Sequence, residues 1–177
     1  MLLTGLLPDI TTDPAIETAI DSVEAGRSGT IVAPVGIRPP LLARLASRAA
    51  APLVVLTATG RDAESLTNAL ASWIPGVAML PAWETLPHER LSPQVDTMAR
   101  RIAVLRRLVH PITGDDSAGP MSVLVVPIRA FLQPIISGLA DLEPVRVRTG
   151  DILDLTETTN RLAELGYERV DMVEGRG

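Results

Sequence analysis

The sequence reads PLVVLTATGRDAESLTNALASWIPGVAML from residue 52 to residue 80, and this stretch decides the fold class. Residues 52–59 form a short apolar, β-branched run, which is typical of a buried strand. Residues 61–73 have helical spacing, with an apolar face formed by Ala63, Leu66, Ala69, Leu70 and Trp73. Residues 77–80 form another short apolar run. A strand, a helix and a second strand in succession indicate parallel pairing, because parallel strands need a long crossover.

The same alternation continues on both sides of this stretch. Apolar runs at residues 30–34 and 122–128 predict further buried strands. Helical spacing predicts helices that begin at Pro14 and that span 41–50 and 94–109. We therefore predict an α/β fold with a mostly parallel sheet.

The helix predicted at 94–109 combines an apolar stripe with several cations. The stripe consists of Val95, Met98, Ile102, Leu105 and Val109. The cations are Arg100, Arg101, Arg106 and Arg107. We interpret these arginines as a solvated helix face, with nucleic-acid binding as the alternative.

Beyond Gly138 the pattern changes. Residues 144–151 alternate apolar and charged side chains like a half-exposed strand, residues 155–166 predict a helix, and residues 167–173 predict another strand. This change indicates a second structural unit that begins at about residue 138.

Composition excludes several classes of site. Hydrophobic residues make up 46% of the chain and charged residues 21%, a balance typical of a soluble globular protein. The chain has no cysteine and no lysine, so it can supply neither a thiolate zinc site nor a phosphate-binding lysine. The net charge of −5 gives no general attraction to nucleic acid. No apolar run is long enough to span a bilayer, and we expect a cytoplasmic protein without a membrane partner.

A nucleotide-binding α/β protein would hold phosphate just after the strand predicted at 30–34. The loop reads APVGIRPPLLA (33–43), with one glycine, Gly36, and two adjacent prolines, Pro39 and Pro40, that have no amide donor. It lacks the lysine and the hydroxyl of the phosphate-loop pattern. Arg38 could still rescue an anion site, although a plain loop is the favoured interpretation. We predict that Gly36 and Arg38 mark a degenerate loop that binds no cofactor.

The segment LPAWETLPHERLSP (80–93) interrupts the regular pattern with three prolines, which exclude a helix or a central strand. Glu84 and Glu89 are interpreted as solvated charges rather than as an acid/base pair. We expect no metal site, because the chain has no cysteine and its only histidines, His88 and His110, are not paired at i, i+4 spacing.

This segment, the helix QVDTMARRIAVLRRL that follows it, and the later stretches VLVVPIRAFLQP and GYERVDMVEGRG resemble the N-terminal region of the bacterial transcription-repair coupling factor family (Mfd). The resemblance runs from about residue 30 to the end of the chain. That region of the family is similar to the excision-repair protein UvrB. The resemblance implies a RecA-like half-domain (1A) at residues 1–137 and the first part of a truncated α+β domain 2 at residues 138–177.

In UvrB the corresponding loop begins a tyrosine-rich hairpin that clamps DNA. No aromatic hairpin separates Trp83 from the next helix here. By this comparison we expect Trp83 to close the sheet edge as a structural plug, and an exposed contact surface is the alternative.

The resemblance also implies a function. The chain is expected to be a non-catalytic module that helps to dock UvrA, while RNA polymerase and DNA are bound by other domains and a downstream motor uses ATP and magnesium. The family's Tyr-x-Arg-x-Asp strand matches residues 167–171, which nominates Arg169 for UvrA contact together with Asp171 and Arg176. An ordinary solvent-facing strand is the alternative for Arg169. The rival function is a degenerate half of a nucleotide-binding helicase or ATPase.

Overall fold

The structure is a computed structural model, which describes residues 2–10, 13–84, 94–114, 118–147, 149–165 and 167. The helices are α1 (Leu7–Ile10), α2 (Pro14–Glu24), α3 (Arg38–Arg48), α4 (Gly60–Ala71), α5 (Val95–Val109), α6 (Ile128–Leu132) and α7 (Leu155–Glu164). The strands are β1 (Leu53–Thr57), β2 (Val77–Met79) and β3 (Val123–Pro127). None of the helices in these ranges is both long and apolar enough to cross a bilayer.

The three strands form one parallel sheet in the order β1-β3-β2. Every residue of β3 is buried, because β3 lies between the other two strands and is covered on both faces. Val123 and Val125 point to one face, and Leu124 and Val126 point to the other. The predicted α/β class and parallel sheet are confirmed, and the arrangement is consistent with a RecA-like half-domain.

Each face of the sheet has its own hydrophobic cluster. The first cluster joins β3 to α3 and α4 through Ala43, Ala46, Ala63, Leu70 and Ile74, with Trp73 packed against it. The second cluster joins β2 and β3 to α5 and α6 through Ala78, Leu80, Val104, Met121 and Ala130. Trp73, on the apolar face predicted for residues 61–73, is thus partly buried against the core.

Side-chain caps explain where two of these helices begin. The Asp13 carboxylate accepts from the Ala15 amide at 2.8 Å, and Pro14 occupies the first turn, where its missing amide costs nothing. The Thr59 hydroxyl accepts from the Asp62 amide at 3.1 Å at the start of α4. The predicted helix that begins at Pro14 is confirmed.

Two predicted strands are wrong. Residues 30–34 pair with no strand among the described residues, and Val32 is 94% exposed. Residues 144–147, which belong to the strand predicted at 144–151, likewise form no helix or strand in the described part of the chain. A strand exists through hydrogen bonds to a neighbouring strand, and neither an apolar run nor an alternating pattern supplies that neighbour by itself.

The buried face of α5 also differs from the predicted stripe. Val95, Met98 and Val109 are exposed by 50%, 39% and 57%. The buried residues are Thr97, Arg101, Val104 and Leu105. The apolar arc of this helix is wider than the surface that covers it, and the sheet covers only the part centred on Val104.

The C-terminal half of α5 holds the segment that follows Gly138, where φ is +82°. The Arg106 guanidinium donates to the Leu142 carbonyl at 3.1 Å, and His110 Nε2 lies 2.7 Å from an Asp141 carboxylate oxygen. No residue of α7 is buried. The domain boundary between residues 137 and 138 stays a prediction.

Candidate functional sites: the start of α3 and the Trp83 segment

The degenerate loop predicted at Gly36 and Arg38 forms a tight turn at the start of α3. The Ile37 amide donates to the Pro34 carbonyl at 3.1 Å, and the Arg38 amide donates to the Val35 carbonyl. Pro39 and Pro40 then occupy the first turn of α3 and have no amide hydrogen. The four backbone positions from 37 to 40 therefore present no free amide to a ligand.

Gly36 has no steric reason to be glycine. A Cβ atom added there would meet nothing within 4 Å, and its φ is not in the left-handed region. In a phosphate loop, glycine allows the backbone to approach the anion closely. Arg38 is exposed beside this turn. The helix predicted at 41–50 begins three residues earlier, at Arg38, and the turn hydrogen bonds that precede it are visible only in the structure.

Residues 81–84 form the second site, which we call the Trp83 segment. The segment follows β2 and lies against α5 and α6. Arg101 Nη1 donates to the Pro81 carbonyl at 2.6 Å, and its guanidinium carbon lies 4.5 Å from the centroid of a Trp83 ring. This distance is within the range of a cation–π interaction.

Gln133 clamps the backbone of the same tryptophan. The Trp83 amide donates to Gln133 Oε1 at 2.8 Å, and Gln133 Nε2 donates to the Trp83 carbonyl at 3.2 Å. A side-chain amide thereby provides the two hydrogen bonds that a neighbouring strand would otherwise provide. These bonds fix the backbone of residue 83 independently of its side chain.

Glu84 is held at the end of the segment. The Arg129 guanidinium donates to the Glu84 carbonyl at 3.1 Å. The Thr97 hydroxyl donates to the Glu84 carboxylate, and this hydrogen bond lowers the pKa of that carboxyl below its ordinary value. Glu84 is exposed, but its geometry is that of an anchor.

Arg101 is the residue that sequence reasoning misplaced. It was expected on a solvated face, yet it is 1% exposed. Its Nε atom is buried without a hydrogen-bond partner in the described part of the chain, and burial lowers the pKa of the guanidinium. One sequence signal could have found it: Thr97, Arg101 and Val104 share a helix face at spacings of four and three.

Of the other arginines of α5, one is exposed to solvent and two donate hydrogen bonds to backbone carbonyls. Arg100 is exposed, as expected. Arg107 instead donates to the carbonyls of Gly119 at 2.5 Å and Pro120 at 3.3 Å. The predicted solvated face is therefore wrong for Arg101 and holds only in part for the remainder.

The predicted partner residues Arg169, Asp171 and Arg176 lie outside the described residues, as do His88 and Glu89. Their roles stay predictions. Among the residues that are described, no group of three or more His, Cys, Asp or Glu side chains could hold a metal ion.

Comparison of the sequence with known proteins identifies the family of the chain. No family model matches the chain. It is 46% identical over 151 residues to the transcription-repair-coupling factors of Mycobacterium bovis and Mycobacterium tuberculosis, a match that covers 84% of this chain. The chain belongs to the transcription-repair coupling factor family.

Two further facts define the relation to this family. The Escherichia coli transcription-repair-coupling factor is 27% identical over 139 residues, which is 77% of this chain. The chain spans 12% of the length of the mycobacterial relatives. The resemblance drawn from the WETLPHERLSP segment is thus confirmed at the level of the family.

Proposed function

We propose that this chain is a non-catalytic, UvrB-like module of a coupling factor, and that it contributes to docking UvrA in transcription-coupled excision repair. The observation that supports a non-catalytic role is the start of α3, where two amides are used within the turn and the next two positions are prolines. Family membership supports the placement in DNA repair.

The release of stalled RNA polymerase, the binding of DNA and the use of ATP with magnesium belong, in this proposal, to other parts of the longer relatives. Arg38 is the only cation within the loop 33–43, and an exposed arginine without amide donors is a poor phosphate site. The Trp83 segment supports the same view, because its anchors leave Trp83 half-buried against Arg101 rather than free to stack on a base.

The second candidate is a degenerate half of a helicase or ATPase that still binds nucleotide by itself but needs its other domain for catalysis. A thermal shift with Mg-ATP separates the two candidates. A ligand that binds the folded chain at one hundred times its Kd adds about 2.7 kcal/mol to stability. An unchanged melting temperature supports the non-catalytic module, and a saturable rise supports the second candidate.

UvrA docking is tested directly by a pull-down with this chain and with a version extended further along its coupling factor. Retention of UvrA by the extended version, with weaker retention by this chain, is the expected result. Arg169, Asp171 and Arg176 are the proposed contact residues. Failure of both versions to retain UvrA would refute the docking proposal while leaving family membership untouched.

A further inference from the structure

The helix α2 is held on the molecule by few contacts, and they are mainly electrostatic. Ile20 is the only buried residue of α2, at 0% exposure. On one side of α2, Leu7 belongs to the first hydrophobic cluster, and the Leu3 amide donates to the Ser72 carbonyl at 2.7 Å. On the other side, residues 25–32 are exposed and form no helix or strand. The helix is therefore anchored through the segment that precedes it, continues into an exposed segment on its other side, and is only lightly packed.

A single side chain of α3 makes most of the polar contacts to α2. Arg48 lies 3.0 Å from a Glu17 carboxylate oxygen, 2.9 Å from Asp21 and 2.7 Å from Glu24, and its Nε lies 2.5 Å from the second Glu24 oxygen. Arg44 adds a longer contact of 3.4 Å to Glu17. The guanidinium thus forms a fork to Glu24 and bridges two further carboxylates, the geometry in which arginine pairs are strongest.

The charge balance between α2 and α3 depends on Arg48. Glu17, Asp21 and Glu24 are spaced by four and three residues, so the three carboxylates share one face of α2 and repel one another. With Arg48 and Arg44 in place, three negative charges face two positive charges. Without Arg48 the face keeps three negative charges and one distant partner, and repulsion then dominates.

We propose that α2 is a hinged flap that opens independently of the sheet and that Arg48 is the latch that keeps it closed. Opening exposes Arg44, Arg48 and the surface against which Ile20 is buried, while α3, α4 and β3 stay folded. The carboxylates are between 35% and 62% exposed, so salt screens the latch and favours the open state. This inference is independent of the proposed function.

Hydrogen exchange of the intact chain, followed by mass spectrometry, tests the flap. In Arg48→Gln we expect the amides of residues 17–26 to exchange about tenfold faster, while those of α4 change by less than about twofold. Arg48→Lys, which keeps the charge but loses the fork, should fall between Arg48→Gln and the original chain. Arg61→Gln is the matched control, because Arg61 is an exposed arginine on α4.

The unmodified chain gives a second, mutation-free measurement. Raising NaCl from about 0.05 M to about 0.5 M shortens the Debye length severalfold and should accelerate exchange in α2 but not in α4. If α2 exchanges as slowly as α4 in both salt concentrations, the flap does not exist. If Arg48→Gln accelerates α2, α4 and β3 equally, Arg48 stabilises the whole fold and is no latch.

Discussion

Replacing Trp83 by alanine tests whether this side chain is a plug or a contact surface. Truncation of a fully buried tryptophan costs about 3–5 kcal/mol, and a half-buried one is expected to cost roughly half of that. Loss of the Arg101 contact at 4.5 Å adds about 1 kcal/mol, because the guanidinium is buried. We expect a total loss near 3 kcal/mol, or a fall in melting temperature of about 6–12 °C.

Urea unfolding followed by far-ultraviolet circular dichroism measures this loss without relying on tryptophan fluorescence. A double-mutant cycle with Arg101→Met, which keeps the stem but removes the charge, should give a coupling of about 1–2 kcal/mol. Trp73→Ala is the control, since Trp73 packs on the opposite face of the sheet and should not couple to Arg101. A Trp83→Ala variant within about 0.5 kcal/mol of the original chain would refute the plug.

Three further predictions concern α5, two glycines and the proposed UvrA contact. Arg107→Ala should lower the free energy of unfolding in urea by about 1–3 kcal/mol, because two backbone carbonyls lose a charged donor. Arg100→Ala should change it by less than about 0.5 kcal/mol, and equal effects of the two substitutions would contradict the assignment of the two sides of α5. Gly76→Ala should lower the free energy of unfolding by more than about 1 kcal/mol, because the φ of Gly76 is +76° and an added Cβ would lie 3.0 Å from the Pro120 carbonyl oxygen. Gly36→Ala should be tolerated, and thermal melts of the two variants under matched conditions test the difference. Arg169→Glu, measured by UvrA titration of the extended version, should weaken binding by about 2–5 kcal/mol with little change in melting temperature, and unaltered affinity would make Arg169 an ordinary surface residue.

The apolar pattern of the sequence predicted the strands β1 and β3 and the helix α5 closely. Residues 53–57 and 123–127 are apolar runs bounded by turn residues, and both form strands within one or two residues of the predicted limits. The predicted helix at 94–109 matches α5 to within one residue. Its buried face was not predictable, because the apolar arc exceeds what one sheet face can cover, and periodicity does not show which part will be covered.

By itself, the sequence determined the α/β class, the parallel sheet, the absence of lysine chemistry and, through WETLPHERLSP, the family. Only the tertiary structure decided that Arg101 is buried beneath Trp83, that the Gln133 side chain makes both backbone hydrogen bonds of residue 83, and that residues 30–34 stay outside the sheet. The physical reason is that periodicity shows only the spacing at which apolar side chains recur along one helix or strand. Which neighbour supplies a carbonyl, a ring or a free strand edge depends on elements distant in the chain, and no local pattern records it.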